Sequence, residues 1–203
     1  NYEVGAHLST PSHKVQADLA LFYIDCRDQQ LTDFPEGQVT GRLMTNAGRT
    51  RSFGGEASLL ATLWRNLDLQ VAYGYTRATF VKFDTGKADY AGNFIPYAPQ
   101  HTLYAGASYT LRTGWNWLEY VIFRVAANGA GRIYWNEANT FSQPFYALLE
   151  ASIRFEHRHW AVDVWGRNLT DTRYDTFYFM SIGNSFLQRG RPRTFGVSLS
   201  ITL

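Results

Sequence analysis

The sequence predicts an all-β chain, a transmembrane antiparallel up-and-down β-barrel of about nine strands. Three observations carry the prediction. Apolar and polar residues alternate with period 2 along most of the chain, while helix-period patterns are scarce. The connections alternate between short and long. Apolar residues reach 45%, yet mean hydropathy is −0.27, and no run approaches the ~18 apolar residues of a membrane helix. That combination fits a soluble β protein or a transmembrane β-barrel, whose strands are apolar only at every second position.

The strands are predicted over 2–9, 14–27, 49–64, 67–80, 100–112, 117–128, 146–156, 160–167 and 192–203. The first, "YEVGAHLS", is strand-like from the start. In the second, Val15, Ala17, Leu19, Leu21 and Tyr23 oppose Gln16, Asp18 and Ala20. In 49–64, Ala57, Leu59, Ala61 and Leu63 oppose Glu56, Ser58 and Thr62. In 67–80, Leu67, Leu69, Val71, Tyr73 and Tyr75 oppose Asp68, Gln70, Ala72 and Gly74. Strand 117–128 is apolar on both faces apart from Glu119 and Arg124. In 146–156, Leu149, Ala151, Ile153 and Phe155 oppose Glu150, Ser152, Arg154 and Glu156. The last strand sets Phe195, Val197, Leu199, Ile201 and Leu203 against Thr194, Gly196, Ser198, Ser200 and Thr202.

Short connections fall at 10–13, 65–66, 113–116 and 156–159, and long segments at 28–48, 81–99, 129–145 and 168–191. A meander with one plain end and one elaborate end has this rhythm. A compact soluble domain rarely holds four structureless loops of such length.

Alternation alone does not say whether the apolar face meets a core or lipid. The tryptophans speak for lipid. Trp64, Trp115, Trp117 and Trp160 gather at the short-turn ends, and Tyr23 and Tyr75 lie on apolar faces near the long-segment ends. The climb between the two levels is roughly 20–25 Å for a tilted strand, the height of an outer-membrane apolar band. Amphipathic rings concentrate at both interfaces. A lipid-facing sheet must also close on itself, because every backbone polar group needs an internal partner.

Net charge is +2, which gives no reason to expect a nucleic-acid partner. The one cysteine, Cys26, excludes an internal disulfide and makes a cysteine-based zinc site improbable. The chain opens on Asn1 without a leader, and is read as a piece of a longer protein. No catalytic set emerges, and no cofactor or metal is expected. His157 and His159 stand at strand spacing but in a polar turn, where solvation is the plainer reading. "NLT" at 168–170 matches a glycosylation sequon. Glu3, Asp18, Glu56, Asp68, Glu150, Arg154, Asp163 and Arg167 charge the polar faces. Of these, Glu150, Arg154, Asp163 and Arg167 are placed for cross-strand ion pairs. Candidate ligand contacts come from the long segments: Arg132, Tyr134, Trp135 and Asn136 in "GRIYWNEAN", and Tyr174 and Tyr178 beside Phe177 and Phe179. A cation among aromatic faces suits anionic or aromatic chelates.

"WGRNLTDTRYDTFYF" (165–179), a long segment, then "GRPRTFGVSLSITL" (190–203) resemble the C-terminal end of TonB-dependent outer-membrane receptors. "LALFYIDCRDQQL" (19–31), "NAGRTRSFGGEASL" (46–59) with Gly54, Gly55 and Glu56, and "NFIPYAPQHTLYAGASY" (93–109) are similar to upstream stretches of the same family. The family's usual terminal aromatic is replaced by Leu203. The resemblance implies that residues 1–203 are the C-terminal portion of a 22-stranded barrel, with the plug domain absent from this stretch. It implies a Gram-negative outer-membrane location, with the short turns periplasmic and the long segments extracellular. It also implies active uptake of an iron siderophore or similar scarce solute, and partners comprising membrane lipid, the plug, the remaining strands and the TonB complex. The alternatives from the residues alone are a small self-contained outer-membrane barrel (adhesin, porin or barrel enzyme) and a soluble ligand-binding β-barrel.

Overall fold

The computed structural model describes residues 1–12, 14–28, 30–33, 43–46, 48–85, 88–181 and 184–202. In chain order the strands are β1 (Tyr2–Ser9), β2 (Val15–Arg27), β3 (Gln30–Asp33), β4 (Leu43–Asn46) and β5 (Arg49–Trp64). There follow β6 (Leu67–Lys82), β7 (His101–Trp115), β8 (Leu118–Gly131), β9 (Ile133–Tyr134) and β10 (Ser142–Gln143). The chain closes with β11 (Tyr146–His157), β12 (Trp160–Arg167), β13 (Asp175–Ser181), β14 (Asn184–Arg189) and β15 (Thr194–Ile201).

Nine of them form one sheet in the order β1-β2-β5-β6-β7-β8-β11-β12-β15, every pairing antiparallel. These are the nine strands that alternation predicts. Three have the predicted ends, and β6, β7, β8 and β11 run on by one to three residues at an end. The four long segments are less featureless than the sequence suggests. β3–β4, β9–β10 and β13–β14 are two-stranded ribbons inside three of them. The segment 81–99 is folded back by the bridges Thr79↔Phe94 and Asp84↔Asp89. Short ribbons escape a periodicity argument because two to seven residues hold too few repeats to establish a period. Of the predicted elements, residues 13, 29, 34–42, 47, 86–87, 182–183 and 203 lie outside the described residues.

The register aligns the apolar faces strand by strand. Leu111, Val121, Phe155, Val162 and Leu199 stand in one row across five strands, and Tyr109, Phe123, Ile153, Val164 and Val197 in the next. Directly opposed residues share a face, so a single slip would turn a whole strand inside out. The face is open: Leu21, Leu59, Val71, Phe123 and Val164 are exposed, and Leu199 is 65% exposed. The opposite, concave face carries the polar residues. Among the described residues no packed layer covers the apolar face, and exposed apolar side chains in this number mark a surface that meets a membrane or a partner. At the short-turn rim Trp115 stacks on Trp117 (5.3 Å between centroids, 14° between planes), and Trp64 stands exposed.

The largest fully buried side chain lies outside this sheet's middle. Phe80, 1% exposed, packs on Phe83 at 4.9 Å beneath the turn of 81–99, with Tyr90 and Ile95 against them. Among the described residues the clustered buried core is therefore at the long-segment end. The Gly-Gly-Glu element has a steric reason: a Cβ on Gly54 would lie 1.9 Å from the Tyr75 carbonyl oxygen. Among the described residues β1 and β15 each have one partner strand, so the sheet has two edges.

Candidate functional site

Two surfaces have the chemistry to meet a solute. One is the concave face. Its rows include His7, Asp18, Ser58, Ala72, Tyr104 and Asn128 in register across six strands. His7 Nδ1 lies 2.5 Å from Asp18 Oδ1, and Ser58 Oγ donates to Asp18 Oδ2 at 2.9 Å. Serine, histidine and aspartate thus meet, but with the carboxylate in the middle. Among the described residues the imidazole bonds no hydroxyl, so this is a hydrogen-bonded post and lacks the nucleophile–base contact of a triad.

Further along the concave face the expected cross-strand ion pairs are not formed. Arg154 stands opposite Asp163 in register, yet its Nε donates to Glu156 Oε2 at 2.8 Å along its own strand. Arg167 lays its guanidinium 4.8 Å over the Trp165 ring, and Glu150 accepts from Asn128 Nδ2 at 3.4 Å. The reason is reach: a long arginine overshoots a short aspartate directly across and meets the group two residues along on the same face. Among the described residues Asp163 Oδ1 is buried without a hydrogen-bond partner.

The second surface is the layer made by the segments 81–99, 129–145 and 168–191. Asn139, held at φ 56°, joins the first two: it accepts from Phe94 N at 2.7 Å and donates back to the Phe94 carbonyl at 2.9 Å. Asn93 Nδ2 donates to the Glu137 carbonyl at 2.8 Å. Tyr97 joins all three. Its backbone N–H donates to Tyr134 O, its hydroxyl donates to Tyr178 O at 2.9 Å, and its ring stacks on Phe177 at 5.5 Å and tilts against Trp135 at 5.5 Å. Burial, with the charge of Glu137 second, pushes the Tyr97 phenol above the usual tyrosine range. Gln143 Oε1 accepts from Asp175 N at 2.8 Å.

The residues singled out from sequence fall within this layer, in different roles. Trp135 and Tyr178 are 7% and 8% exposed and form its packing. Tyr134 stacks on Phe94 (5.4 Å, 18°) and Tyr174 on Tyr146 (4.4 Å, 20°), each half-buried. Asn136 closes a turn, with its Oδ1 accepting from Thr140 N and its Nδ2 donating to Thr140 Oγ1. Arg132 is exposed, its Nη1 3.5 Å from the Tyr134 hydroxyl. The two clusters are bridged by Tyr97 and by Phe141, which stacks on Tyr178 at 4.7 Å. Sequence reasoning missed Tyr97, Phe141 and Asn139. A tyrosine set between Pro96 and Pro99 was the available signal for the first.

Two other motifs resolve. Asn168 is 4% exposed: it donates to the Thr172 and Arg191 carbonyls and accepts from Thr172 N. It is a buried knot between the "NLTD" turn and the start of the last strand, and a buried amide cannot accept a glycan. The His157 and His159 rings are 5.6 Å apart, with Arg158 Nε donating to His159 Nε2 at 2.8 Å. A cation already occupies that nitrogen's lone pair.

The family model "TonB dependent receptor-like, beta-barrel" matches residues 1–169. The pesticin receptors of Yersinia enterocolitica and Yersinia pestis are 28% identical over 207 residues, 99% of this chain. The chain spans 28% of the length of these curated relatives. Among solved structures, it superposes on the ferric yersiniabactin uptake receptor FyuA of Yersinia pestis with TM-score 0.82 at 24% identity, covering 98% of this chain and 29% of that one. For the ferric citrate transporter FecA the values are 0.74, 21%, 98% and 30%. For the siderophore receptor PiuA of Acinetobacter baumannii they are 0.73, 17%, 97% and 27%.

Proposed function

The chain belongs to the TonB-dependent receptor-like β-barrel family, and on that premise we propose that residues 1–203 are the C-terminal portion of the barrel of an outer-membrane receptor. The whole protein takes up a siderophore or similar scarce solute, with import energised through the TonB complex. The long segments face outward and present the solute-contacting surface. The observation that carries this reading is the asymmetry of the sheet. An open apolar face is set against a polar concave face, and a stitched aromatic layer lies on one rim only.

In that layer the buried rings of Trp135 and Tyr178 are the platform. The groups free to meet a solute are Arg132 and the exposed parts of Tyr97, Phe141 and Phe177. A guanidinium beside ring faces binds an anionic or aromatic chelate by charge-assisted hydrogen bonds and stacking. The metal travels as part of the solute. Growth-linked uptake by the full-length protein, tested against iron chelates, corrinoids and glycans in a strain lacking it, tests the reading. Restoration by one class, lost on removal of TonB, is expected. Uptake of every class without TonB would make the protein an open pore instead.

A further inference from the structure

On the open face of β2, β5 and β6, charge is confined to the end far from the short turns. From the short turns up to Tyr23, Gly55 and Tyr75, the apolar-face positions of β2, β5 and β6 carry no charge. Directly beyond come Asp25 and Arg27 on β2, Arg49 and Arg51 on β5, and Arg77 on β6. The register places them together on the same face as the apolar rows: Arg27 opposite Arg49, Asp25 opposite Arg51, and Tyr23 opposite Phe53, itself opposite Arg77. With strands ~4.8 Å apart, the cluster spans roughly 10 Å across the sheet.

Its one carboxylate is already taken. Arg49 Nε donates to Asp25 Oδ1 at 2.8 Å, and Arg49 Nη2 donates to Asp25 Oδ2. Arg27, Arg51 and Arg77 are exposed, and among the described residues none of them has an ion-pair partner. Arg77 lies 5.6 Å from the Phe94 ring centroid, and a guanidinium so placed keeps its N–H edge free. Like charges this close on adjacent strands repel, more strongly beside an apolar band than in water. The arrangement calls for an anion that arrives from outside the chain.

The level decides which anion. The cluster begins at Arg77, in the row of Tyr23 and Phe53, and runs two same-face rows beyond it to Arg27, in the zone where a bilayer's head-group phosphates lie. It is on the face turned away from the lumen, so no transported solute passes it. The planar fork of arginine matches phosphate geometry. We propose that Arg27, Arg51 and Arg77 form a site for the phosphate groups of a phosphorylated lipid packed against the outside of the sheet, with the Arg49–Asp25 pair as the fixed post between them. The proposal rests on the reading that the apolar face meets lipid.

The test uses the full-length protein reconstituted in phosphatidylcholine vesicles, with and without a bisphosphorylated disaccharide lipid. Lipid retained after delipidation is counted by native mass spectrometry. Wild type is expected to retain the phosphorylated lipid, and the triple variant Arg27→Gln, Arg51→Gln, Arg77→Gln to bind it at least roughly tenfold more weakly. The triple arginine-to-lysine variant, which keeps the charge if the glutamine form fails to insert, should fall between them. Arg65→Gln at the opposite rim should bind as wild type does. Equal retention by wild type and both triple variants would overturn the proposal, showing the arginines satisfied by the chain itself. So would complete displacement by inorganic phosphate, which would mark a free-anion site. Failure of wild type to insert into pure phosphatidylcholine would instead sink the lipid-facing reading. Insertion without preference for the phosphorylated lipid sinks only this proposal.

Discussion

The ring of Tyr174 lies against the backbone of Gly190, so close that a Cβ there would fall 2.0 Å from Tyr174 Cζ. Gly190 N also donates to the Tyr174 carbonyl at 2.8 Å, and Tyr146 stacks on the ring at 4.4 Å. Gly190→Ala should therefore expel the ring and cost about 1–3 kcal/mol by overpacking. The check is a double-mutant cycle on urea unfolding of the outer segments. In a Tyr174→Ala background the same glycine change should cost almost nothing. Additive costs would mean that the ring is not what occupies the space.

Asn139 supplies both backbone partners of Phe94, from a different segment. Asn139→Ala leaves an N–H and a C=O without them, a loss of about 1–3 kcal/mol for each group that stays buried. Amide exchange at Phe94 should accelerate at least about tenfold, while amides in the middle of β7 and β8 keep their protection.

Leu199 and Ser198 are neighbours on opposite faces of β15. An arginine at 199 should cost roughly 2–4 kcal/mol if it sits at the bilayer midplane, and at 198 much less, since that face is polar. Refolding titrations of the full-length protein into lipid vesicles measure both. Equal costs would contradict the facing.

Tyr97 donates its hydroxyl proton to the Tyr178 carbonyl and has its ionisation pushed upward by burial and Glu137. The folded state favours the neutral phenol. The stabilisation is therefore complete below the ordinary tyrosine range and is lost as pH rises through the higher folded-state value. Absorbance titration should show a late phenol component that Tyr97→Phe diminishes, and protease sensitivity of 168–191 should rise at the same alkaline step.

Arg132 makes no ion pair among the described residues. Arg132→Ala should weaken an anionic chelate by about tenfold, the value of one charge-assisted contact. The thermal stability of the barrel should not move. Binding titrations and melting curves of the same preparation separate the two.

Much of the wall was legible in the residues because a strand's alternation is local. Leu19, Leu21 and Tyr23 announce their face without reference to any neighbour, and the register then follows from keeping every such face on one side. The loop layer was legible only as composition. "GRIYWNEAN" showed a cation among rings, but not that Trp135 would be buried under Tyr97 from another segment. The ion-pair expectation failed for a related reason. Arg154 chose Glu156 over Asp163 because side-chain reach, absent from a one-dimensional pattern, decided between two acceptors.

The sequence by itself determined the strands, their two faces and the inequality of the two rims, because these depend on residue type and spacing along one chain. Only the tertiary structure decided which aromatic side chains are packing and which remain free. It alone also brought Arg27, Arg51 and Arg77, scattered over fifty positions of sequence, into three successive rows of one face. The physical reason is that antiparallel pairing folds distant residues into cross-strand rows. Burial and electrostatics then depend on what stands beside a residue in space.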